Sequence, residues 1–75
     1  MKVITSRFID EFLFVKLDRN GAEVVVEAEI MPGLPPHICE ITWGETGEPA
    51  LPDVIDDLDD IRTIVEKATL ASIPA

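Results

Sequence analysis

The chain is poor in cysteine and in basic side chains, and each shortage excludes a class of protein. Cys39 is its single thiol, so an internal disulfide framework and a cysteine-rich zinc site are both excluded. Only six Lys and Arg stand against fifteen Asp and Glu, which gives a net charge of −9. Because nucleic acids and anionic membrane surfaces bind clustered basic residues, we expect this protein to bind neither of them directly.

Long apolar runs are also absent from the sequence. No stretch approaches the roughly 20 residues of a membrane span. The apolar pair Val3-Ile4 is followed at once by Thr5 and Ser6, so no signal peptide is predicted. The sequence therefore favours a cytoplasmic location with a reduced thiol.

The length of the chain limits its core. Residues 1–75 are predicted to form one small acidic domain, and its hydrophobic content of 47% is that of a folded chain. A chain of this length buries only about 60–65% of its unfolded surface. Since it has neither a disulfide nor a predicted structural metal, we expect self-association to add stability, most simply as a homodimer.

Two apolar-rich runs between Phe12 and Ile30 flank Asn20-Gly21, the dipeptide that best fits a type I′ hairpin turn. A two-residue loop places Asp18 opposite Glu23. A four-residue loop would instead place Lys16 opposite Glu23, and the sequence leaves both registers open. In either register one face of the hairpin is apolar, since strand side chains alternate; it carries Leu13, Val15, Leu17, Val24, Val26 and Ala28.

The opposite face of this hairpin is mixed, with Phe12, Phe14 and Val25 among charged side chains. The first face of the hairpin, which is uniformly apolar, predicts a covering helix. The mixed face needs another strand, a loop or a partner subunit as its cover. We expect the homodimer to form through this mixed face or through the edge of a strand.

The residues on either side of the hairpin are predicted to be largely extended. Residues 1–10 favour a strand because β-branched and aromatic residues dominate, with a short helix from Ser6 as the alternative; the first hairpin strand can start as early as Arg7. Prolines between Met31 and Pro36 predict a stiff connection. Residues 37–44 are predicted to form a third strand whose core side carries Cys39, Ile41 and Trp43, leaving Ile38, Glu40 and Thr42 on the other side.

Beyond the loop of residues 44–52 the apolar period changes from two to three and four residues. This period predicts one helix that begins at Pro52 or Asp53 and ends near Ala71, with Pro74 beyond it as a stop. The predicted fold is therefore α+β: an antiparallel three-stranded meander, made of the hairpin and a third strand, with one C-terminal helix on its apolar face. The apolar stripe of the helix is Val54, Leu58, Ile61, Ile64, Val65 and Ala68.

Aspartates crowd the start of the predicted helix, with five in the eight residues 53–60. An EF-hand is excluded because the central glycine and the twelfth-position glutamate are missing. Asp56, Asp59 and Asp60 are predicted to point to water. Like charges four residues apart disfavour a helix, so keeping them suggests a use: a docking surface for a protein partner with a basic surface.

No group of residues predicts catalysis or a cofactor. His37 and Cys39 share one side of the predicted third strand, but nothing else in the chain completes a metal site or a thiol–imidazole pair. No serine lies in a nucleophile elbow, and no glycine-rich phosphate loop is present. We therefore expect a protein that is not an enzyme and holds no cofactor.

Three functions remain compatible with this composition. The leading hypothesis is a self-associating protein–protein interaction module whose binding residues are Asp56, Asp59, Asp60, Phe12, Phe14 and Trp43. Trp43 fits a core edge as well as an interface anchor. The alternatives are an inhibitor that mimics nucleic acid with its carboxylates, and a structural subunit of a larger assembly such as a phage or a secretion apparatus.

Overall fold

The computed structural model describes residues 1–72 and has an α+β fold, as predicted. Four strands form one antiparallel sheet in the order β1-β2-β3-β4. They are β1 (Lys2–Ile9), β2 (Phe12–Arg19), β3 (Ala22–Glu29) and β4 (His37–Trp43). A short helix α1 (Leu51–Val54), a 3₁₀ segment (Ile55–Asp57) and a long helix α2 (Leu58–Ser72) follow.

The prediction of three strands is wrong, because the N-terminal residues form a strand of their own. Asp10 adopts a left-handed backbone with φ of 56°, a conformation that the short polar side chain of aspartate tolerates. The chain therefore reverses at Asp10-Glu11, and β1 pairs with β2 from Ile9 opposite Phe12 to Lys2 opposite Asp18. Of the two alternatives for residues 1–10, the strand is the one that forms, and all of β1 remains exposed.

The central hairpin has the two-residue loop. Asn20 and Gly21 both have positive φ, at 54° and 88°, as a type I′ turn requires. The backbone N–H of Gly21 donates to Asp18 Oδ1 at 2.9 Å. Asp18 is paired with Glu23, and Lys2 stands opposite Asp18 on its other side.

Helix α2 covers the apolar face of the sheet, as the alternation predicts. All six hairpin residues expected on that face are fully buried. From the helical segments Val54, Ile61 and Val65 are buried against them, and Leu58, Ile64 and Ala68 pack at their margin. Full burial of each such side chain stabilises the fold by about 1.5–3 kcal/mol relative to exposure.

The prediction for β4 is right at Ile41 and Trp43 and wrong at Cys39. Glu27 pairs with Glu40, whereas Ala28 pairs with Ile38, so Cys39 is the extra residue of a β-bulge. The bulge reverses the alternation: Ile38 packs against the core, and the Cys39 side chain is exposed.

The predicted single helix is also interrupted at its start. Val54 leaves the helical region with φ of −114° and ψ of 11°, and the 3₁₀ segment separates α1 from α2. Before α1 the loop folds back along β4. The backbone N–H of Trp43 donates to the backbone oxygen of Glu48, and the backbone N–H of Ala50 donates to that of Ile41, both at 2.9 Å. The predicted stop at Pro74 lies outside the described residues.

Candidate functional site

The side of the sheet that α2 leaves uncovered holds two of the predicted binding residues, Phe12 and Phe14. Directly opposite residues of neighbouring strands share a face, so the strand pairing defines this surface, which we call the open face. Its members are Lys2, Thr5, Arg7 and Ile9 of β1; Phe12, Phe14, Lys16 and Asp18 of β2; Glu23, Val25, Glu27 and Glu29 of β3; and His37, Glu40 and Thr42 of β4.

Charge is divided across the open face. The β1–β2 half carries three basic side chains and one acidic side chain, for a net +2; the β3–β4 half carries four glutamates and no Lys or Arg, for a net −4. The strand order puts these halves side by side. The row Arg7, Phe14, Glu27, Glu40 runs from a cation through an apolar ring to two carboxylates.

Apolar side chains of β2 and β3 line the boundary between the two halves, and Ile9 of β1 extends this apolar patch toward the edge of the sheet. Phe12, Phe14 and Val25 are each half-buried by their neighbours on the sheet alone, and Ile9 opposite Phe12 is 45% exposed. These four side chains have no covering element among the described residues. A patch of this kind, rimmed by charges, is typical of an interaction surface.

The contributions of β1 to this face, basic Arg7 and apolar Ile9, were missed when the hairpin was considered alone. The signal was present in the sequence, because residues 2–9 are rich in β-branched and aromatic residues. Asp10 is a residue type that turns favour, but Asp10-Glu11 lacks the glycine that makes Asn-Gly or Asp-Gly a strong hairpin signal. The pairing of β1 could not be assigned from the chain alone.

The predicted docking aspartates lie on the helical side of the molecule. Asp56, Asp59 and Asp60 are all exposed at the junction of the 3₁₀ segment and α2. Their neighbour Asp57 accepts from Arg19 Nε at 2.9 Å. This ion pair ties the hairpin tip to the helix start, and no local pattern indicates it because the partners are 38 residues apart.

Trp43 does not join Phe12 and Phe14. It lies opposite Val24, on the side of the sheet that α2 covers, and packs half-buried at the edge of the core. The structure thus separates the six predicted binding residues into three places: the open face, the aspartate cluster and the core edge.

His37 and Cys39 form no metal site with other side chains of the described residues. Cys39 Sγ lies 3.6 Å from the backbone oxygen of His37, and both residues are exposed. Within residues 1–72 no group of three or more His, Cys, Asp and Glu side chains is arranged to hold a metal ion. In the same part of the chain, no helix has the length and apolarity needed to cross a membrane.

Comparison with known proteins adds no relative: no family model, no curated protein and no solved structure matches this chain.

Proposed function

We propose that this protein is a small acidic protein–protein interaction module without catalytic activity, and that it self-associates through the open face. The observation that carries the proposal is the division of charge on that face around Phe12 and Phe14. A surface with one basic and one acidic half is complementary to a second copy of itself. A C2 dimer uses the same patch on both subunits, so such a surface needs no other partner.

The strand pairing supports one orientation for the proposed dimer. A two-fold axis across the strands would set β1 over β1 and bring basic residues together. An axis parallel to the strands reverses the strand order and sets opposite charges face to face. With the axis along β2, the rings of Phe12 and Phe14 meet those of the other copy, and Arg7 and Lys2 of β1 lie over Glu27 and Glu23 of the partner's β3.

The size of the open face limits the affinity of the dimer. With the axis along β2 only β1, β2 and β3 overlap with the second copy. Three strands spaced about 4.8 Å apart and eight residues rising about 3.3 Å each give an overlap of roughly 14 by 26 Å, or about 370 Å² per copy. The two copies together then bury about 740 Å², which is below the size of a standard specific interface. Like charges also meet across the axis, Lys16 with Lys16 and Asp18 with Asp18 of the second copy. We therefore expect a weak dimer whose population rises with protein concentration.

Multi-angle light scattering and sedimentation over a concentration series test the self-association. The expected mass rises from one toward two protomers of 8.3 kDa, and Phe14→Glu keeps the chain monomeric. Ile55→Glu is the matched control, since Ile55 is an exposed apolar residue of the 3₁₀ segment, away from the open face. A wild-type chain that stays monomeric at the highest concentration, or a Phe14→Glu mass equal to that of the wild type, would refute the proposal.

A basic protein partner remains part of this proposal, with Asp56, Asp59 and Asp60 as its docking residues. Their exposure supports such a role. Changing all three to Asn should weaken binding of a basic partner protein and leave the fold intact, because none of the three side chains is buried. Unchanged binding would remove the aspartate cluster from the proposal.

The distribution of acids favours an interaction module over a nucleic-acid mimic. A mimic needs carboxylates on one continuous surface. Here Glu40 belongs to the open face, whereas Asp56, Asp59 and Asp60 lie on the helical side. The acids are therefore divided between two sides of the molecule.

A further inference from the structure

A wide hollow lies at the end of the molecule where β1 turns into β2, away from the Asn20-Gly21 turn. Its walls are the Asp10-Glu11 turn, the connection of residues 30–36 between β3 and β4, and the last turns of α2. Its volume is about 990 Å³, at the upper end of the range of ligand sites. Neither the open face nor the aspartate cluster includes this region.

The hollow gathers large apolar side chains that are exposed. Phe8 enters from β1, Met31 and Leu34 from the connection, and Leu70 from α2. Leu34 is 59% exposed and Leu70 is 76% exposed. Single apolar residues on a surface are ordinary, but several gathered in one concave region mark a binding site.

The walls of the hollow are held in place by the backbone. Ile30 N–H donates to Glu11 O at 2.8 Å, which joins the connection to the β1–β2 turn, and Leu34 N–H donates to Met31 O at 3.2 Å. Pro32 and Pro36 restrict the same connection. A site with fixed walls loses little conformational entropy when it is occupied.

Charge at the rim selects the occupant. Asp10, Glu11 and Glu66 line the hollow, and no Lys or Arg is among the described residues that do so. A fatty acid or an anionic lipid would place its negative group beside these carboxylates, so electrostatics disfavours it. A second copy docked through the same hollow is also disfavoured, since it would bring its own Asp10, Glu11 and Glu66 against this acidic rim.

We propose that this hollow binds a peptide segment of a protein partner in which aliphatic side chains are flanked by Lys or Arg. The aliphatic side chains cover Phe8, Leu34 and Leu70, and the basic side chains meet Asp10, Glu11 and Glu66. The inference rests on the proposed role as an interaction module, and it supplies a site and a partner chemistry that are independent of the open face. In this proposal the connection of residues 30–36 forms one wall of the peptide-binding site.

The test is a titration of the ¹⁵N-labelled full chain, followed by NMR. The probe is a short amidated peptide of alternating Lys and Leu, with a control peptide in which Glu replaces every Lys. The expected result is saturable shifts at the amides of Leu34 and Leu70 with the basic peptide and none with the acidic peptide. Leu70→Glu should weaken binding by about tenfold or more, as loss of an apolar anchor does, and Glu66→Lys should weaken it and reduce its salt dependence.

Matched variants separate this proposal from the others. Leu51→Glu is the control for Leu70→Glu, because Leu51 is an exposed leucine of α1 that does not line the hollow. Phe14→Glu should bind the peptide as the wild type does, so peptide binding can be measured whether or not the chain forms a dimer. Shifts confined to Asp56, Asp59 and Asp60, equal binding of both peptides, or no shifts would overturn the proposal.

Discussion

Truncation of Ile61 tests whether α2 packs on the sheet in the orientation described. Ile61 is fully buried in the core, and Leu70 of the same helix is 76% exposed. Ile61→Ala should lower the free energy of unfolding by about 2–5 kcal/mol, and Ile61→Val by about 0.5–1.5 kcal/mol. Leu70→Ala should stay within about 0.5 kcal/mol of the wild type.

These losses in the free energy of unfolding are large for a chain of 75 residues. At about 0.05–0.15 kcal/mol per residue the whole domain is stable by roughly 4–11 kcal/mol, so Ile61→Ala removes a large fraction of that stability. Ile61→Val costs less stability and leaves a folded protein, whose Tm should fall by about 4–8 °C for each kcal/mol lost.

Urea unfolding followed by Trp43 fluorescence and far-ultraviolet circular dichroism measures both changes. All variants are compared at one protein concentration, because the proposed self-association would make apparent stability depend on concentration. Trp43 is the single tryptophan and lies at the core edge, so its emission reports loss of packing. Equal losses for Ile61→Ala and Leu70→Ala would refute the assigned face of α2.

Three smaller predictions concern the ion pair, the hairpin turn and the bulge. A double-mutant cycle of Arg19→Ala and Asp57→Ala should give a coupling of about 0.2–1 kcal/mol that weakens with salt, since both side chains are about a third exposed; a zero coupling at low salt would contradict the pair. Gly21→Ala should lower the free energy of unfolding by about 1–2 kcal/mol, because φ there is 88°, and an unchanged urea midpoint would contradict this turn. Ile38→Ala should lower stability by about 1–2 kcal/mol and Cys39→Ala by less than about 0.5 kcal/mol, while the Cys39 thiol should react with Ellman's reagent in the folded protein; the opposite order of losses would place Cys39 in the core.

The hairpin and the helix stripe were predictable because local chemistry and tertiary packing agree there. Asn20-Gly21 has the backbone freedom that its turn needs, and the alternation on either side of it leads to the buried face. The spacing of Ile61 and Val65 likewise identifies the buried side of α2.

The departures arise where a single residue changes the register. Asp10 reverses the chain without a typical turn sequence, and Cys39 adds one residue to β4 that only the pairing with β3 reveals. Because strand side chains alternate, one inserted residue exchanges the inner and outer positions of its neighbours. A period read along the chain contains no information on where such a residue is inserted.

The candidate sites were only partly predictable for the same reason. Phe12 and Phe14 follow from the hairpin alone, but the charge division depends on Arg7 and Lys2, which reach the open face only through the pairing of β1. The hollow depends on Leu70, which joins residues 31–36 through the packing of α2. Contacts between residues so far apart in the chain require the tertiary structure.

The most direct test of self-association through the open face is the mass of a mixture of two charge-reversal variants. Arg7→Glu alone sets two carboxylates together, the new one and that of Glu27 in the other copy, and Glu27→Arg alone sets two guanidinium groups together. Each variant should therefore be monomeric where the wild type is dimeric. In an equimolar mixture both contacts become complementary, and light scattering should recover the concentration-dependent rise toward twice 8.3 kDa that the wild type shows. A mixture that stays monomeric, or single variants that dimerise as the wild type does, would contradict a two-fold axis along β2.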